Sequence, residues 1–294
     1  MIRRPALYGL LFAASVAISF AAILIRLAQE APVLTIAAWR LSLATLALAP
    51  FTLRRGSLKR LGRTDLLLSL ASGVFLALHF VFWIASLRET SVSSSVVLFA
   101  TNPLFVGLGS VVLLKERLTP PLLLAIGFSV LGGCLIGWGD VRAGGRALVG
   151  DLLALGAAVA FAAYLLVGRR VRQRAPLENY TFVSYGAAAV LLVVACLATQ
   201  APLGGFSGKT YLFLVLLALG PQLVGHTTFN WALRYLSAST VAILVLGEPI
   251  GSTVLAYLFL GEGISVLKGI GAAIILAGIT MSLRAEGGTH ERGT

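Results

Sequence analysis

Few residues in this chain could do chemistry, and most of those that could sit inside long apolar runs. Glu248 is the only acid away from the end of such a run, eleven residues into a stretch of twenty-three. A single carboxyl near a bilayer midplane is the usual equipment for proton coupling. It could equally hydrogen-bond backbone loosened by the neighbouring Pro249, or meet a polar face near Asn102. Arg40 lies eight residues in from Pro32, about 12 Å below a helix end at the helical rise. Its options are snorkelling, binding backbone carbonyls, or recognising a substrate carboxylate. His79 and His226 occupy related places in the two halves of the chain, one residue off a common offset of 146. Intramembrane histidines bond between helices or face a cavity. Asn102 and Gln222 add neutral hydrogen-bonding groups at similar depth, and Phe161 and Tyr164 could stack on an aromatic or apolar substrate or simply pack.

These residues do not assemble into catalytic machinery. There are no paired carboxylates, no His-Glu-x-x-His and no Ser-His-Asp set at membrane depth, so an enzyme is not expected. No glycine-rich phosphate loop precedes a helix, so ATP is not the power source. The two cysteines, Cys134 and Cys196, lie in apolar runs and read as small buried hydrophobes. They offer neither a disulfide framework nor metal-ligand spacing, and no cofactor or metal is expected.

The elements that position these residues follow from composition. Of 294 residues, 58% are hydrophobic and 12% charged, against about 25% charged in a soluble domain. The chain is an integral membrane protein. Its formal charge of +12 sits between apolar runs rather than in a basic stripe, so nucleic acid is not an expected partner. The expected partners are a small-molecule substrate and the lipid bilayer, and the expected state is a monomer.

One stretch is written twice. Leu87 to Leu118, moved forward by 146 positions, falls without a gap on Leu233 to Ile264. Eight of 32 positions agree, among them Ser91 with Ser237 and Pro103 with Pro249. Each proline follows a polar residue, Asn102 or Glu248, and each removes a backbone bond, to the carbonyl of Phe99 or Val245. Broken apolar segments in corresponding places of two halves point to a transporter, with Pro103 and Pro249 as hinges.

Apolar runs near twenty residues are membrane helices. They read as 6–25, 32–53, 65–87, 92–114 and 120–138, then 148–168, 177–199, 209–233, 238–260 and 264–283. The domain plan is therefore a first five-helix repeat over 1–138, a loop over 139–147, a second repeat over 148–283 and a disordered cytoplasmic tail over 284–294. With the N-terminus inside, alternating assignment places sixteen Lys and Arg inside and six outside. That asymmetry predicts both termini in the cytoplasm, and an odd number of spans per half predicts inverted repeats. Polar faces recur at helical spacing, as in Ser72, Phe75, His79, Trp83 and Ser86, and should turn inward. Trp83 and Trp138 read as aromatic-belt anchors, and Glu116 and Glu262 as partners in ion pairs at helix ends.

The chain from about Ala6 to Leu283 resembles the drug/metabolite transporter superfamily, in its ten-helix EamA-type branch, nearest the bacterial aromatic amino-acid exporters. The matching pieces are Ala37-Ala38-Trp39-Arg40, Thr101-Asn102-Pro103-Leu104 and Leu113-Leu114-Lys115-Glu116-Arg117-Leu118, with Gly127 and Gly132 beyond. Their partners are Gly247-Glu248-Pro249-Ile250, Leu260-Gly261-Glu262-Gly263-Ile264, Gly271 and Gly278. The resemblance implies a central cavity lined by the first four helices of each half, with spans five and ten at the periphery. It implies a secondary transporter of the bacterial inner membrane, working by alternating access and exporting amino acids or similar small metabolites. Efflux of other small amphiphilic compounds, a passive channel, a scramblase and a membrane-embedded enzyme are the alternatives.

Overall fold

A computed structural model describes residues 4–54, 58, 61–90, 92–138, 146–261, 263 and 266–291. Ser91, the 139–145 segment, Glu262, Ile264 and residues 292–294 fall outside these, as does the Trp138 side chain. Among the described residues the long elements are all helical, as a bilayer demands of backbone groups that have no water to bond.

The first half contains α1 (Arg4–Leu27), α2 (Val33–Arg54), α3 (Arg63–Glu89), α4 (Val92–Phe99), α5 (Asn102–Gly109) and α6 (Pro120–Trp138). A π-helical turn, Ser110–Leu114, extends α5. The second half contains α7 (Arg146–Arg172), α8 (Leu177–Ala198), α9 (Gly208–Leu217), α10 (Thr227–Ala232), α11 (Ala238–Val245), α12 (Gly247–Leu260) and α13 (Val266–Glu291). A second π-helical segment, Ala218–His226, joins α9 to α10. Seven helical stretches are long and apolar enough to cross a membrane, and Asn102–Leu114, Pro120–Leu135 and Gly269–Ala285 are shorter apolar helices.

Local chemistry sets several boundaries. Ser207 and Ser237 cap α9 and α11 by accepting from the backbone N–H of Thr210 and Thr240, each satisfying a donor that would otherwise be orphaned. The expected break before each internal proline is present. Regular helix stops at Phe99 and again at Val245, and restarts as α5 and α12 with Pro103 and Pro249 in their first turns. The two stops are the carbonyls each proline deprives of a partner. At each proline the α-helical ladder is interrupted for one or two residues while the backbone stays in the right-handed helical region, with Thr101 at φ −75° and Leu246 at φ −68°.

Pro221 has a different effect. Its ring and missing N–H fall within the Ala218–His226 segment, where the winding loosens to the π form instead of breaking. α13 runs eight residues past Leu283 to Glu291, into the segment read from the sequence as a tail.

Packing runs mainly between the halves. α1 lies against α12 and the Ala218–His226 segment, while α7 lies against α3, α4 and α5. α2 pairs with α8, and α6 with α13. The α6–α13 seam is closed by glycine: a Cβ on Gly132 would sit 2.5 Å from the Gly271 carbonyl, and one on Gly278 would sit 2.9 Å from that of Ala125. Such approach is the usual basis of helix association in lipid. Cys134, on the same α6, is exposed rather than buried, because the seam takes the adjacent Gly132 face and turns Cys134 outward. Cys196 is buried, and both thiols are free.

Contacts at the helix ends tie the bundle together at its two ends. At one, Arg26 donates to the Thr90 carbonyl (3.1 Å) and Arg88 to that of Ala31. There too Glu30 accepts from the Ser207 N–H and the Thr210 hydroxyl, both at 2.9 Å, and the Trp39 indole donates to the Leu203 carbonyl (2.9 Å). At the other end, Arg169 donates to Glu116 (2.9 Å) and to the Leu233 carbonyl (2.6 Å). Arg172 donates to the carbonyls of Asn230 (3.1 Å) and Ala175.

Candidate functional site

Between the two ends lies a small cavity whose walls come from both halves. Arg40 on α2 and His79 and Trp83 on α3 face Phe161 on α7, His226 at the end of the π segment and Glu248 on α12; Ile18, Phe99, Phe229 and Val245 complete the lining, with Ala21. The space open to the centre of a water-sized sphere is about 10 Å³, room for about one water.

Arg40 is the dominant group. It is 0% exposed, so it does not snorkel. Its Nε donates to Gln222 Oε1 at 2.8 Å, and its guanidinium carbon lies 4.1 Å from the centroid of the Phe80 ring. A cation over a desolvated ring gains up to about 2 kcal/mol, well short of the several kcal/mol that burying a charge costs. Nη1 and Nη2 have no hydrogen-bond partner. Glu248, 7% exposed, lines the same cavity, and the two groups act on each other electrostatically. The direct ion pairs among the described residues lie elsewhere: Arg146 with Glu89, Arg169 with Glu116 and Arg174 with Asp65.

The histidines meet as ring neighbours, with centroids 6.3 Å apart. His79 is held by a 3.1 Å contact between Nδ1 and the Ala157 carbonyl and packs against Phe99 and Phe161 at 5.4 and 4.8 Å. His226 closes the π-helical segment that also carries Gln222. That segment presents both Arg40's partner and the second histidine to the centre, a use of π geometry common at functional sites. α3, which carries His79, is regular throughout.

Several expected cavity residues stand elsewhere. Asn102 is buried, but its Nδ2 donates to the Ala158 carbonyl at 2.8 Å, tying α5 to α7. Tyr164 belongs to a hydrogen-bonded cluster nearer the Arg169 end, where Asn230 Nδ2 donates to its hydroxyl and, at 3.1 Å, to that of Tyr185. Gln222 acts through Arg40. Pro103 and Pro249 stand at the two breaks described above. Trp83 corrects the belt assignment: it is 3% exposed, lies nearly parallel to His79 at 6.2 Å and faces the cavity. The signal was its spacing of four from His79, which puts both on one helical face.

Apolar helices surrounding a buried polar cavity, with helix breaks beside it, define a membrane transporter. The family profile of the EamA-like transporter family matches residues 4–138 and 148–284, and the chain belongs to that family, one of transporters rather than enzymes. It is similar to an uncharacterized transporter of Archaeoglobus fulgidus, 26% identical over 83% of this chain and 84% of the relative. It is also similar to the uncharacterized transporter YyaM of Bacillus subtilis, 25% identical over 83% and 82%. A protein crystal structure, 22% identical, shares the fold with a TM-score of 0.78, covering 97% of this chain and 100% of that one.

Proposed function

We propose that this protein is a secondary active transporter of the bacterial inner membrane that exports amino acids or similar small metabolites by alternating access. It acts as a monomer of ten membrane helices in two inverted five-helix repeats, 1–138 and 148–283, with both termini in the cytoplasm. The observation that carries the reading is the central cavity, walled by both halves and lying between two sets of helix-end contacts. With room for about one water, it must widen toward one side or the other to admit or release a metabolite.

Three features support the architecture. Each half's first helix, α1 or α7, packs against segments of the other half, and α2 with α8 and α6 with α13 are pairs of counterparts. The helix stops at Phe99 and Val245 are 146 residues apart, matching the offset of the repeat. The end contacts join only ends that the charge asymmetry assigns to one side: Arg26, Glu30, Arg88 and Ser207 outside, and Glu116, Arg169, Arg172 and Leu233 inside.

The test is flux in sealed proteoliposomes over an amino-acid panel, with and without a pH gradient. Saturable, selective movement is expected. Equal leak of unrelated solutes would indicate a channel, and a chemically altered product without translocation would indicate an enzyme.

A further inference from the structure

The central cavity holds buried donors without partners on the same lining as the Glu248 carboxyl. Three donors on its lining are shielded from solvent and lack a hydrogen-bond partner: Arg40 Nη1 and Nη2, and Trp83 Nε1. The unpartnered acceptors Asn102 Oδ1 and Asn230 Oδ1 belong to residues outside the lining. Buried donors without acceptors are costly and rare, and call for an acceptor that arrives from elsewhere.

Arg40 defines what kind. With Nε occupied, its free edge is the Nη1–Nη2 fork, which matches two oxygens of one flat anion. Phe80 beneath the guanidinium, and Phe99, Phe161 and Phe229 in the walls, suit an apolar or aromatic body. The charged and titratable groups facing the site are Arg40 from α2, His79 from α3, His226 from the π segment and Glu248 from α12. Glu248 is the one carboxyl on the lining and can accept from an ammonium.

We propose that the Arg40 fork, assisted by the Trp83 indole N–H, is the recognition point for a single carboxylate on a small substrate whose apolar or aromatic body lies among the cavity's phenylalanines. This rests on the central cavity being the transport site, and it makes a zwitterionic amino acid one fitting substrate and a neutral or cationic amphiphile a poor one.

The test uses matched probes on the full-length protein: phenylacetate against phenylacetamide, and L-phenylalanine against its amide, read by thermal shift and by Trp fluorescence in detergent. A carboxylate is expected to bind at least about tenfold more tightly than its amide, the worth of one charge-assisted pair. Arg40→Gln should erase that ratio. Trp83→Phe keeps the ring and removes only the donor, so it should lower the ratio several-fold even if Arg40→Gln does not fold. Equal response to acid and amide, no response to either acid, or an unchanged ratio in Trp83→Phe would each overturn the proposal. Selective binding without flux in vesicles would defeat the transport reading and leave the carboxylate site standing. Flux in which acids and amides compete equally would do the reverse.

Discussion

Arg26 and Arg172 stand 146 residues apart and do the same work at opposite ends of the bundle. Each lies near the end of its half's first helix, and each donates to a main-chain carbonyl near the end of that half's third span: Thr90 for Arg26 and Asn230 for Arg172. A second arginine reinforces each contact, Arg88 reaching Ala31 and Arg169 reaching both Glu116 and Leu233. In the proposed alternating cycle, one set of these contacts would open while the other holds.

The end contacts are tested by accessibility. Arg169→Ala removes two charge-assisted bonds, roughly 1.5–3 kcal/mol each where fully made, and should bias the protein toward opening on the inside. A cysteine at Phe161, in a background lacking Cys134 and Cys196, is expected to react about tenfold or more faster with an impermeant maleimide from that side. Arg26→Ala should produce the same change from outside. If neither variant alters labelling, the arginines only brace the helix ends.

The hinges are tested by restoring the backbone. Pro103→Ala and Pro249→Ala each return a donor to the carbonyl of Phe99 or Val245, favouring an uninterrupted α-helical ladder. Transport is expected to slow several-fold in both, with thermal stability unchanged or raised. Wild-type flux in both would leave the breaks as static features of packing.

Proton coupling is tested at Glu248, which lines the cavity with Arg40. Glu248→Gln keeps shape and hydrogen-bonding capacity and removes titration. It should sustain substrate exchange at equilibrium while losing its response to an imposed pH gradient. A gradient response equal to that of the wild type would make the residue structural.

Glu30 offers a pH test outside the membrane spans. The Ser207 backbone N–H, then the Thr210 and Ser207 side chains, hold its carboxyl below its ordinary value of 4.5. A lowered carboxyl contributes stability at pH above that value and loses it as pH falls through the folded value. At pH 7, Glu30→Gln is therefore expected to speed hydrogen exchange in the first turn of α9, around Thr210. The difference from the wild type should vanish once the pH is well below 4.5. Equal exchange at pH 7 would show that the turn does not depend on the carboxylate.

What could be read along the chain was whatever depends on local order. Apolar runs mark the helices because lipid leaves the backbone no other partner. Pro103 and Pro249 mark the breaks because a missing N–H acts on the carbonyl four residues back. Charge and depth single out Arg40 and Glu248 without reference to any neighbour. What only the tertiary structure decided was which side of each helix meets which other helix. Trp83 and Cys134 change places with expectation for that reason: depth and polarity are properties of sequence, while facing the cavity or the lipid is set by rotation about the helix axis. The Arg40–Gln222 bond joins residues 182 positions apart, and a π-helical segment around Pro221 turns Gln222 and His226 to the centre. A proline can break a helix or loosen it, and at Pro221, in the segment packed against α1 and α2, the winding loosens.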